Sequence, residues 1–212
     1  MASLFDLPRP LLLGLSLGTV LALGACDDDE PAVIPLTASE AELLGVGMWR
    51  GGWEVGVSIP VGFGTAARLP LAAQTVDYDD EIVVSCGLGG QVTNALSIFA
   101  VVNQETGAGE ASITNVQTHE ACTFQEGGTT FTVNGAPGVT TVWEFEGDGA
   151  GNTTFTGSIT GAVDASVGES SGLCPVDLGF DGALTGGTQV DLSIAGDVCG
   201  QAVSRTLSVT AS

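Results

Sequence analysis

The chain has no lysine and only four arginines, Arg9, Arg50, Arg68 and Arg205, against 25 acidic residues, which leaves a formal net charge of −21 over 212 residues. A field of that sign repels phosphate backbones and anionic headgroups over roughly 8 to 10 Å in ordinary salt. Nucleic-acid binding and docking through a basic patch are therefore disfavoured. Cationic partners and divalent ions are favoured, although solubility alone accounts for such a surplus of acid. Histidine is scarce too: His119 is the only one, so a hydrolytic triad or a histidine-assisted cysteine would have to use it. It lies in a strand-like stretch beside Glu120 with no GxSxG context and reads as a solvent-facing strand residue. CxxC is absent, and His119-Glu120-Ala121-Cys122 is a lone HxxC, too little for a zinc or redox site. No catalytic residue, cofactor or metal ligand is expected on these grounds. The apolar run over residues 11–23 is shorter than the ~20 residues a transmembrane helix needs.

That run ends in Leu23-Gly24-Ala25-Cys26. A short apolar segment closed by small residues is the pattern of an export signal that is cut away. The four residues resemble the lipobox of bacterial lipoproteins. The resemblance implies cleavage before Cys26, a diacylglycerol on its sulfur and usually a third acyl chain on its nitrogen; two or three chains give stable attachment where one is marginal. The mature protein is then expected in the cell envelope, held to the membrane through lipid on Cys26 without crossing it. The aspartates at 27, 28 and 29 resemble the signal that, in enteric bacteria, keeps such proteins at the periplasmic face of the inner membrane; elsewhere the outer membrane is the alternative. Residues 27–35 hold four acids and two prolines, a composition that predicts a flexible acidic tether over 26–36. A single β-rich domain is expected over 37–212, with 37–79 as helix and irregular lead-in and 80–212 as antiparallel strands.

The 32 glycines show no collagen-like period and fall mostly where turns are expected, with valine, threonine and alanine between. Thr37 and Glu40 have capping-box spacing ahead of Ala41, Leu43, Leu44 and Val46, so one short helix is expected, weakened by glycines and ending near Trp49. Trp53 to Val61 alternate as a candidate strand, and residues 66–73 read as a loop or short helix. From Glu81 onward alternation predicts eight or nine strands. Val92, Leu96, Ile98 and Ala100 share a face that pairing across Gly107 aligns with Ala111 and Ile113, and a shift of parity at Val116, Cys122 and Phe124 predicts a bulge. A five-residue loop over 148–152 sets Phe145 opposite Phe155 and Trp143 opposite Gly157, with Glu144 and Glu146 facing water. Asn134-Gly135, Asp181-Gly182 and Gly186-Gly187 are read as turns. The fold class is all-β, an antiparallel meander closed as a barrel or folded as a β-sandwich, with one short N-terminal helix.

With Cys26 assigned to lipid, four cysteines remain in an oxidising compartment, an even number that reads as two disulfides. Turn geometry favours Cys86 with Cys122 and Cys174 with Cys199. The stretches SCGLGGQV, TFTVNGAPG, GLCPVDL and GDVCGQAVSRTL are similar to blocks in uncharacterised exported bacterial lipoproteins, a resemblance over residues 80–210 that implies no activity. The acids Asp77, Asp79, Asp80 and Glu81 would suit calcium but lack the glycine and terminal glutamate of an EF-hand loop, and 148–152 is more simply a hairpin turn. Arg205 shares parity with Val203 and Leu207; pointing inward it would bind an anionic ligand, but it reads first as a strand-end arginine that snorkels out or pairs with one of the many carboxylates. The expected function is that of a membrane-anchored, non-enzymatic module that binds a protein or small molecule or serves as scaffold. One alternative is a carrier of a small apolar or anionic ligand inside a lipocalin-like barrel, with Trp143 and Arg205 at the ligand. The other is a carboxylate-based hydrolase.

The anchor is open to direct test: Cys26→Ser should abolish incorporation of radiolabelled palmitate, and persistent labelling would contradict the lipobox reading.

Overall fold

The computed structural model describes residues 32–58, 74–103, 105–185 and 189–210. The leader, Cys26, the acids of the tether and residues 66–73 lie outside them. One helix, α1 (Ala38–Ser58), precedes eight strands: β1 (Gln74–Ser85), β2 (Gly89–Val102), β3 (Ala108–Glu126), β4 (Thr129–Asp148), β5 (Thr153–Val167), β6 (Ser170–Thr185), β7 (Gln189–Val198) and β8 (Gln201–Thr210). Every strand pairs antiparallel with the next, so the sheet is a meander in chain order from β1 to β8. Helix α1 packs on one face, against β3, β4, β7 and β8.

The capping box forms as its spacing predicts. Glu40 N–H donates to Thr37 Oγ1 at 3.3 Å, while Thr37 N–H and Oγ1 both donate to Glu40 Oε2 at 2.9 and 2.7 Å. Those bonds hold the Glu40 carboxyl below its ordinary pKa, the backbone N–H of Thr37 contributing most. The helix does not end near Trp49; it continues to Ser58 and takes in the first part of the stretch expected as a strand. Tertiary packing overrides propensity here. A Cβ on Gly45 would lie 3.1 Å from Leu178, one on Gly47 would be driven into the Phe124 ring, and one on Gly52 would lie 3.0 Å from Trp143. The glycines that weaken the isolated helix are the points where it presses against the sheet.

The strand just ahead of α1 corrects the extent of the tether. Ile34 N–H donates to Leu173 O at 2.9 Å, Leu173 N–H donates to Ala32 O at 3.0 Å, and Val33 bridges Leu173 in parallel. Ile34 and Leu36 belong to the buried core. Residues 32–36 are thus docked, because two apolar side chains two apart bury on one side.

In the hairpin of β4 and β5, Phe145 faces Phe155 and Trp143 faces Gly157, as the loop length predicts. The ring over Gly157 belongs to Phe180, its partner on β6, and Phe155 lies in the same way over Gly182. Gly182 is therefore a strand residue that makes room for a ring, and Asp181-Gly182 is not a turn. Asn134-Gly135 is not a turn either. It opens a bulge in β4 that runs to Gly138 and contains Pro137, whose missing N–H is tolerated where the ladder is interrupted. The predicted parity shift in β3 is real but lies later in the strand: Val116 is exposed, Asn115, Gln117 and His119 remain on the inner face, and the extra residue is at Glu120-Ala121. Ala121 has a φ of 46° there and donates its N–H to Asn134 Oδ1 at 2.6 Å.

That bulge returns Cys122 to the inner face, where it is bonded to Cys86 with Cα atoms 5.4 Å apart; Cys174 is bonded to Cys199 at 4.3 Å. Val176 pairs with Val198, the register that the alternation favours, and Cys199 reaches its partner by taking a φ of 52° in the tight turn with Gly200. The linked cysteines are separated by 36 and 25 residues.

Two substitutions separate packing from propensity. Gly157→Ala would drive a methyl into Val142 O and the Phe180 ring, so about 1 to 3 kcal/mol of stability should be lost in denaturant unfolding. Gly51→Ala meets nothing within 4 Å and should add about 0.8 to 1 kcal/mol. Replacing either cystine by two serines should cost roughly 3 to 4 kcal/mol from the loop lengths; no loss on reduction would contradict the role given to the cross-links.

A cleft with a polar floor

Between the middle of α1 and strands β1 to β3, a cleft of about 440 Å³ remains. Met48, Ile82, Val84, Val92 and Phe124 supply its apolar walls, and the disulfide of Cys86 and Cys122 borders it. Gly47 and Gly51 of α1 contribute no side chain, which leaves the space open on the helix side. The exposed residues Arg50, Ser85 and Gln125 at its edge connect it with solvent. Arg50 Nη1 and Glu126 Oε2 form an ion pair across the edge at 2.7 Å.

The floor is polar. Asn94 and Gln117 are cross-strand partners, as are Val92 and His119, so Asn94 and the inner residues of β3 come together beneath the helix. Asn94 Nδ2 donates to the carbonyls of Ile82 and Val92 at 3.3 and 3.4 Å, which turns its own oxygen toward β3. Asn115 Nδ2 and Gln117 Nε2 then both donate to Asn94 Oδ1, at 2.9 and 3.1 Å. This chain of bonds decides the orientation of all three amides, a matter that shape alone leaves open. Its consequence is that Gln117 Oε1 and Asn115 Oδ1, on the far side of each amide from the nitrogen that bonds Asn94, have no protein partner, and neither has His119 Nδ1. Deeper under α1, Thr141 Oγ1, across from Asn115, and Trp143 Nε1 are likewise without one. A buried polar atom left in this way costs about 1 to 3 kcal/mol.

His119 is 8% exposed, which corrects its reading as a solvent-facing residue. The inner face of β3 keeps a strict alternation, but with Asn115, Gln117 and His119 in the places where apolar residues are looked for. Burial drives the His119 pKa down to about 4, because the charged form would lose its hydration. The imidazole is therefore neutral at physiological pH.

Neither Trp143 nor Arg205 is at this cleft. Trp143 is buried between Gly52 of α1 and the Phe180 ring, 6.1 Å between ring centres, as solid core. Arg205 is on the inner parity of β8 beside Val203 and Leu207, pairs with Ile194, and is half-buried with no carboxylate against it among the described residues. The acids from Asp77 to Glu81 are on β1, an edge strand, where alternation places Asp80 on the opposite face from Asp77, Asp79 and Glu81. Asp80 accepts from Tyr78 Oη at 2.6 Å and from Glu81 N–H at 2.8 Å, with Tyr78 chiefly responsible for lowering its pKa. Charges on an edge strand protect it from pairing with another chain. Asp148 accepts from Ala150 N–H, Asn152 N–H and Asn152 Nδ2, the hydrogen bonding of a hairpin turn. Among the described residues no three metal-ligating side chains converge.

No family model matches the chain, and no curated protein or solved structure matches it either. The two disulfides indicate an oxidising, extracytoplasmic location. Among the described residues no helix is long and apolar enough to cross a membrane.

A pH prediction follows from His119. Its folded pKa lies below the unfolded value near 6.5, so the unfolded chain takes up a proton first, and stability contributed by the neutral imidazole is lost as pH falls from about 6.5 to about 4. The loss is at most about 3 kcal/mol. In chemical unfolding across that range, His119→Gln should show a shallower decline than the parent chain. Equal slopes would mean that His119 is solvated.

Proposed function

We propose that this chain is a lipid-anchored, non-enzymatic envelope protein whose β-domain binds a small molecule in the cleft beneath α1. One observation carries the reading: a roomy cleft with apolar walls and a floor of buried amide and imidazole groups in which Gln117 Oε1 and His119 Nδ1 lack protein partners. Ligand sites are built in this way, from apolar surface with a few convergent polar groups. The lipobox-like Leu23-Gly24-Ala25-Cys26 supports attachment through Cys26, and the cross-links support an address outside the cytoplasm.

Binding is favoured over catalysis by the chemistry of the cleft. General acid–base work near neutrality needs a group with a pKa near the working pH, whereas His119 is held near 4. Cys122 is committed to a disulfide. The cleft's one carboxylate among the described residues, Glu126, is engaged by Arg50, so those residues offer no pair of acids for glycoside hydrolysis. A ligand in this position lies between helix and sheet and not in the hollow of a lipocalin-like barrel, since α1 occupies the inner face.

A fragment panel with neutral, anionic and cationic heads, followed by backbone amide chemical shifts of the full-length chain, tests the reading. Ligands should move the resonances of residues 47–51, 82–94 and 117–126 together. Shifts scattered elsewhere, or none from any fragment, would contradict it.

A further inference from the structure

Resting on that reading, we infer that the cleft selects an uncharged molecule with an apolar body and a head that donates hydrogen bonds through N–H or O–H, such as a primary amide. The network beneath it dictates the direction. Because Asn94 Nδ2 is committed to two main-chain carbonyls, its oxygen takes the amide hydrogens of both Asn115 and Gln117. Gln117, at 3% exposure, lines the cleft, and its buried carbonyl oxygen is left with no protein donor to meet it. His119 Nδ1 adds a second unpartnered atom on the same strand, two residues away and on the same face. In the tautomer with its proton on Nε2, a neutral imidazole accepts at Nδ1, so this atom, like the Gln117 oxygen, calls for a donor.

Charge is selected against on both sides. An anionic head would bring its oxygens against the Gln117 carbonyl in a protein of net charge −21. Among the described residues the cleft's one cation, Arg50, is already paired with Glu126. A cationic head would find acceptors, but Glu126, the cleft's only carboxylate among the described residues, is likewise engaged, and an ion buried on neutral groups loses more hydration than they return. The environment that keeps His119 uncharged imposes the same cost on a ligand. At about 440 Å³ the cleft falls within the range of roughly 300 to 1,000 Å³ usual for small-molecule sites. Met48, Ile82, Val84, Val92 and Phe124 surround the apolar body.

Four water-soluble probes that share one ring isolate the head group: benzamide, methyl benzoate, benzoate and benzylammonium. Titrated into the full-length chain with amide and imidazole resonances as the readout, benzamide should bind about tenfold more tightly than methyl benzoate, which accepts but cannot donate, and more tightly than both ions. Gln117→Met should reduce the benzamide advantage over the ester severalfold. Gly51→Phe should block all four probes, because Gly51 borders the cleft and a Cβ there meets nothing within 4 Å, which leaves room for a ring to fill the opening. That variant retains the floor intact and serves if Gln117→Met fails to fold. Binding at the cleft in which the ester or either ion equals benzamide would overturn the donor rule while leaving the binding reading in place. Absence of binding by every probe, with Gly51→Phe indistinguishable from the parent chain, would leave the polar atoms to water alone and overturn both.

Discussion

The close approach of α1 to the inner face of the sheet is the constraint on which everything else depends. Gly45, Gly47 and Gly52 let the helix backbone reach Leu178, Phe124 and Trp143 with no side chain between. That contact costs helix propensity, since glycine in a helix interior is about 1 kcal/mol worse than alanine, and it is offset by burial of Leu44, Met48 and Trp49 in a core shared with Ile34, Ile159, Leu178 and Ile194. The same glycines set the shape of the cleft. Where the sheet presents Trp143 or Leu178 the gap closes; where β2 and β3 present Asn94, Gln117 and His119 and the helix presents Gly51, it stays open.

Two irregularities tune that arrangement. The bulge at Glu120-Ala121 reverses the facing of β3 just past His119, which brings Cys122 inward to its bond with Cys86 at the edge of the cleft. The bulge in β4 from Asn134 to Gly138 lies opposite Gln117 and His119, and Gly138 approaches Gln117 O so closely that no Cβ would fit. Bulges recur beside functional sites because they redirect side chains that a regular ladder would hold elsewhere. Asn134 joins the two by accepting the Ala121 N–H.

Much of the sheet was legible from the residues. The capping box, the pairing of Phe145 with Phe155, the facing of β2 against the start of β3 and the two cross-links all rest on short-range spacing or on the two-residue period of a strand. The misreadings share one cause, which is that a local signal was overruled by contacts distant in sequence. Glycines in α1 read as a stop until the rings beneath them are known. Asn134-Gly135 and Gly182 read as turns because the dipeptide carries no record of a neighbouring strand. The candidate site was the least legible part, since Asn94, Asn115, Gln117 and His119 look like solvent-facing strand residues by polarity. Their only signal was position: Asn94 shares parity with Leu96 and Ile98, and Asn115, Gln117 and His119 share it with Ala111 and Ile113. Three polar residues in phase with a buried face point to a polar floor more directly than to a change of register.

The inward facing of that row is the central claim, and His119 reports on it most directly. Its imidazole nitrogen shifts, followed by NMR from pH 8 to pH 3.5, should remain those of a neutral ring until the pH nears 4. A midpoint near 6.5, the value of a solvated histidine, would place the ring in water and contradict the buried floor on which the cleft and its ligand depend.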